Sequence, residues 1–163
     1  MSDRELQSIL DNSPAVIAVK DIGGRYLRIN LQFEEIFGLD RSKILGRTDH
    51  EVFDKECADR FRANDIRVIQ TGRPIEFEET AFHLDGLHDY ISIKFPLYDD
   101  AGVVYATAGI STDITERKRS EEKIRSNEQL FRTVFENAQI GVSILNIQTG
   151  ELVSNPAIQE MFD

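Results

Sequence analysis

The chain has 163 residues, 40% of them hydrophobic, one cysteine and a formal net charge of −10, which sizes it for one domain and part of another. That charge excludes a basic nucleic-acid surface and argues against anionic lipid, while a lone cysteine excludes an internal disulfide and suits the cytoplasm. No apolar run reaches the roughly 18 residues of a membrane span, and the charged opening MSDRELQSIL lacks the apolar core of a secretion signal.

In chain order, residues 1–12 form a flank of helical character. Residues 14–20 and 25–30 read as short strands around the turn Asp21-Ile22-Gly23-Gly24. Residues 31–37 place Phe33, Ile36 and Phe37 on one helical face, and Gly38 supplies the stop. Asp40 or Ser42 starts another turn that carries Ile44 and Leu45 inward. Thr48-Asp49-His50-Glu51 has capping-box spacing. A longer helix is predicted over 54–71, closed by Gly72 and Pro74.

Strand character then returns. Ile75 and Phe77 alternate with glutamates, and Asp85-Gly86 marks a hairpin turn. Alternation predicts Ile91, Ile93, Phe95 and Leu97 on one face of the next strand, with Tyr90, Ser92 and Lys94 on the other. Asp99 to Gly102 make another turn before a last strand over 103–111. The order defines an α+β domain with one antiparallel sheet, one face of which the helical segment covers.

From Asp113 to Glu128 the composition shifts to five acidic and five basic residues with few apolar ones. Lys118–Glu122 and Glu121–Arg125 have the spacing of helix-surface ion pairs. The apolar seam is too thin for a coiled coil, so an exposed linker helix is expected.

The opening then recurs. Slid by 125 positions, residues 9–38 lie on 134–163 without a gap, with six identities in thirty. Asn12 meets Asn137, Asn30 meets Asn155 and Phe37 meets Phe162. A spacing this long indicates tandem domains rather than a solenoid. The expected organisation is a flank over 1–12, a domain over 13–113, a linker helix over 114–128 and the truncated start of a second domain over 129–163.

The chain resembles the PAS domain family in NSPAVIAVKD followed by RYLRIN, in ILGRTDHEVF, in the helix ending QTGRP, and above all in GISTDITERKR. The match covers about residues 5–117. It implies a five-stranded antiparallel sheet with helices closing a cavity over one face. It also implies a sensory module that regulates a C-terminal effector, commonly a histidine kinase or a diguanylate cyclase. Asp113, Ile114 and Thr115 look like the family's exit motif, and the resemblance makes Arg117 a candidate partner for Asp113.

Ligand-facing candidates are Phe33, Phe37, Ile44, Phe53, Phe61, Ile75, Phe77, Ile91 and Ile93, with Asn30 as the polar one. Asn30 has a competing structural role, satisfying backbone where strand turns to helix. In flavin photoreceptors of the family a reactive cysteine stands where this chain has Asp49. In haem-binding members an axial histidine stands where it has Phe61, which has no lone pair for iron. Flavin and haem are therefore disfavoured. A small organic ligand and a ligand-free dimerisation module remain as alternatives.

His50, His83 and His88 show no shared metal-ligand spacing, so no metal is expected. Cys57 has charges of both signs around it, which is not the setting of a reactive thiol. No catalytic constellation stands out. The expected protein is a non-enzymatic, cytoplasmic input module, a homodimer with an effector as partner, without nucleic acid and without a membrane segment in these residues.

Overall fold

A computed structural model describes residues 2–162; Met1 and Asp163, the ends of the predicted flank and of the second copy, lie outside the described residues. The chain divides into two units, one up to Thr115 and one from Glu116 onward.

The first unit opens with α1 (Asp3–Asp11), which Ser2 and Glu5 start with a reciprocal capping box. Strands β1 (Val16–Asp21) and β2 (Tyr26–Ile29) follow as a hairpin. Four helices then intervene: α2 (Leu31–Phe37), α3 (Arg41–Ile44), α4 (Asp49–Val52) and α5 (Lys55–Thr71). Gly38 and Gly72 close α2 and α5 at φ of +62°, left-handed conformations that a side chain would strain. Strands β3 (Ile75–His83), β4 (Gly86–Tyr98) and β5 (Val104–Asp113) complete an antiparallel sheet of order β2-β1-β5-β4-β3. The four-helix segment lies between β2 and β3 in sequence, and α2 and α5 contact the sheet.

One correction concerns β4. Tyr90, Ser92, Lys94 and Pro96 are the buried residues of this strand, and Ile93 is 45% exposed on the other face. The two faces alternate as predicted, but the inward one carries Tyr90, Ser92 and Lys94 and not the ligand-facing candidates Ile91 and Ile93. The reason lies in Lys94, whose ammonium reaches Asp65 at 3.1 Å and Glu79 at 3.0 Å beneath the helices. A buried cation that finds two carboxylates can occupy the core face that alternation assigns to isoleucine.

The second unit contains α6 (Thr115–Asn137), which begins in the first unit, then β6 (Ser143–Leu145), β7 (Leu152–Ser154) and α7 (Pro156–Phe162). The repeat is reproduced in two side-chain bonds of its asparagine. Asn30 Oδ1 accepts from Ile17 N at 2.9 Å and its Nδ2 donates to Ala15 O at 2.8 Å. Asn155 Oδ1 accepts from Val142 N at 2.9 Å and its Nδ2 donates to Ile140 O at 3.0 Å, each partner 125 residues on. Among the described residues no helix is long and apolar enough to cross a membrane.

Candidate functional site: a cavity between helices and sheet

Between the helices and the inner face of the sheet lies a cavity of about 70 Å³, room for several waters at roughly 10–15 Å³ each. Its helical side is aromatic. Phe33 and Phe37 come from α2, Phe53 follows α4, and Phe61 comes from α5. Phe33 lies tilted on Phe37 at 4.8 Å, and the other contacts are edge to face, Phe37 on Phe53 at 5.1 Å and Phe53 on Phe61 at 5.5 Å. The sheet side is mixed: Val16, Ala18, Ala81 and Gly109 stand beside the polar Lys20, Glu79, Ser92, Lys94, Thr107 and Ser111.

A buried ionic chain runs along that floor. Lys20 Nζ donates to both oxygens of Asp49 at 2.7 Å and to Asp65 at 3.0 Å. Lys94 pairs with the other oxygen of Asp65 and with Glu79, and Asn64 donates to Glu79 at 2.8 Å. The Tyr26 hydroxyl donates to Asp49 at 2.6 Å. Burial alone would raise the Asp65 carboxyl, but the two lysines outweigh it and hold it below its ordinary range. Burial likewise opposes the charge on Lys94, and Asp65 and Glu79 raise its pKa regardless. Burial, then Asp49, pushes the Tyr26 phenol well above its usual value, so it acts as a neutral donor. Lys20 also lies 4.8 Å from the Tyr26 ring centre, and Lys94 lies 5.2 Å from that of Phe61.

Of the residues proposed from sequence to face a ligand, Phe33, Phe37, Phe53 and Phe61 line this cavity. Asn30, Ile44, Ile75, Phe77, Ile91 and Ile93 are not among its lining. Asn30 is fully buried, but its amide is spent on backbone, since it also caps α2 through Phe33 N and donates to Leu10 O. Ile44 is buried in the neighbouring hydrophobic core. Phe77 stacks beneath the guanidinium of Arg67. Ile91 and Ile93 lie on the outward face of β4 for the reason given above. Sequence reasoning missed Lys20, Asp49, Asp65, Glu79 and Lys94. The available signal was a lysine or glutamate at the in-facing strand positions of Lys20, Glu79 and Lys94, with Asp49 and Asp65 on the helices opposite them.

The exit from the sheet is built separately. Asp113 Oδ1 accepts from Thr115 N at 2.8 Å, Ile114 N donates to Asp89 O, and Thr115 Oγ1 accepts from Asp89 N. These bonds tie the start of α6 to β4, and Ile114 and Thr115 are buried. The partner of Asp113 is His88, at 2.6 Å, and not Arg117, which lies 3.5 Å from Glu121. His88 in turn stacks on His83, ring centres 3.8 Å apart. His83 and His88, which share no metal-ligand spacing in the sequence, are thus brought together by the β3–β4 hairpin. His50 stands apart, paired with Asp59. Cys57 is buried, and burial above all pushes its thiol up to about 11, leaving no thiolate for chemistry at neutral pH.

The PAS fold family matches residues 10–119, and the chain belongs to that family. It is 34% identical over 132 residues to the methanogenesis regulatory histidine kinase FilI of Methanothrix harundinacea, covering 80% of this chain and 15% of that protein. It is 30% identical over 119 residues to a diguanylate cyclase of Vibrio cholerae, covering 71% of this chain and 37% of the cyclase. The chain therefore spans well under half the length of these relatives. Among solved structures it is similar to the VqmA–ligand–DNA complex of Vibrio cholerae, with a TM-score of 0.63 and 28% identity over 71% of this chain and 53% of that one. The chain is thus a PAS sensory domain related to the sensor regions of histidine kinases and diguanylate cyclases, and modules of this kind are regulatory. The VqmA likeness corrects the exclusion of nucleic acid. Net charge describes only the residues counted, and in VqmA the similar region is about half of a chain found in complex with DNA.

Proposed function

We propose that residues 13–113 are the input domain of a signalling protein and that the cavity takes a small, compact, uncharged molecule. The carrying observation is a mostly apolar, partly aromatic lining with a few polar groups fixed on the floor, the combination that orients small ligands. Three carboxylates against two ammonium groups leave the floor with excess negative charge, which disfavours an anion. Donors and acceptors from Ser92, Ser111 and Thr107 beside that floor suit a neutral molecule carrying both. A ligand is likewise present in the VqmA complex. Occupancy would shift β4 and β5, and through Asp113-Ile114-Thr115 the linker helix over 114–128. The effector reached by that helix is a histidine kinase or diguanylate cyclase by analogy with FilI and the Vibrio enzyme. The repeated asparagine geometry supports reading residues 129–163 as the start of a second PAS domain.

The complete internal pairing of the lysines favours a second reading, a domain that works unliganded through protein contacts. Native mass spectrometry of the 163-residue chain, followed by a ligand-observed NMR screen of small neutral compounds, separates the two. An added mass lost on denaturation, or screening hits abolished by the cavity-filling Ala81→Leu, is the expected result. A bare chain with no hits, or hits that persist in a folded Ala81→Leu, overturns the ligand reading.

A further inference from the structure

The hydrogen-bonded group beside the exit motif is separate from the cavity floor in its chemistry. His83 ends β3, His88 lies early in β4 and Asp113 ends β5. Each offers one ligand atom, and the three atoms lie within 4.8 Å of one another. We propose that His83, His88 and Asp113 form a binding site for one divalent transition metal ion of the zinc class, placed on the link between sheet and signalling helix.

The donor set selects the ion. Two imidazoles and one carboxylate suit zinc, cobalt, nickel or copper, whereas calcium and magnesium take oxygen ligands. The three ligands stand on adjacent paired strands rather than on loops, since Ala81 pairs with His88 and Tyr90 with Asp113. Their remaining atoms are already held. The Tyr90 hydroxyl lies 2.6 Å from His83 Nε2, Asp85 Oδ1 lies 3.1 Å from His88 Nε2, and Thr115 N occupies Asp113 Oδ1. Such outer contacts fix ring orientation and ligand basicity in metal sites. They leave His88 Nδ1 and Asp113 Oδ2 facing each other at 2.6 Å across one proton. The metal takes the place of that proton. The rings, now parallel within 10°, tilt so that their lone pairs converge on an ion at about 2.0–2.1 Å. Water completes four-fold coordination.

The test is calorimetric titration of the 163-residue chain with Zn²⁺, with Co²⁺ absorption as a geometric probe. One Zn²⁺ per chain is expected, with strong visible Co²⁺ bands of tetrahedral type. His83→Ala and His88→Ala each lower affinity at least roughly tenfold, and His50→Ala leaves it unchanged. Zn²⁺ also slows amide exchange at Thr115, whose N–H is bonded to Asp113. Because His83→Ala removes a side chain that is only 8% exposed, His83→Gln serves as the folded control and loses binding equally. Absence of stoichiometric Zn²⁺ binding, or binding that survives in a folded His83→Gln, overturns the site.

Discussion

Asp65 joins two lysines from different strands while 3% exposed. Removing one member of such a group strands the others without compensation, which costs about 3–5 kcal/mol. Asp65→Ala is therefore expected to lower unfolding free energy by about that amount in urea titrations, far more than a change at an exposed carboxylate such as Asp100. The acid dependence has a definite sign. The folded carboxyl is held below its model-compound value of 3.8, so the folded state binds this proton less readily than the unfolded chain. The stabilisation is fully present above pH 3.8 and is lost as pH falls through the lower folded value. Asp65→Asn should be less stable than the parent at pH 7, and the gap should narrow below pH 3.8 as the parent's carboxyl protonates. A gap independent of pH would show that the lysines do not hold this charge.

At the scale of elements, β4 sets the clearest test of side-chain placement. Ile93 is half exposed and pairs in register with Ile110, itself 38% exposed, on the outward face. Ile93→Thr is expected to cost under about 1 kcal/mol, whereas Val68→Ala, at a fully buried position of α5, costs about 1–3 kcal/mol. Comparable losses in chemical denaturation would contradict the face assignment. The turns, the order of strands along the chain and several helix ends were legible because they depend on neighbours in sequence: Thr48, Gly38 and Gly72 act where their types imply. The aromatic wall was legible too, since Phe33, Phe37 and Phe61 fall on helix faces with clear periodicity. The polar floor was not. Lys20, Asp49, Asp65, Glu79 and Lys94 come from five elements, and a charge looks like surface until its partner 29 or 45 residues away is seen. His83, His88 and Asp113 were hidden in the same way, because only strand pairing brings them together.

At the scale of the whole molecule, the two units differ in what they can bury. The first has a five-stranded sheet covered by helices, with Ile29, Val68 and Ala106 fully buried. In the second, Leu145, Leu152 and Ile147 are 56%, 61% and 90% exposed around a hairpin of two three-residue strands. Isolated two-stranded hairpins are marginal in water, so the shared asparagine geometry at Asn30 and Asn155 should have unequal consequences. Asn30 holds backbone on both sides of a packed hairpin, and Asn30→Ala leaves those buried groups unpaired at about 1–3 kcal/mol. Asn155→Ala releases similar groups in a unit with little core behind it. Hydrogen exchange across the chain is expected to show global protection at Ile17 and Ile29 and little at Ile144 and Leu145. Asn30→Ala should lower protection throughout the first unit, while Asn155→Ala changes only residues after Asn137. Equal protection of the two hairpins would mean that the second is stabilised by contacts beyond its own strands, and the asparagine would then be its register pin rather than its principal support.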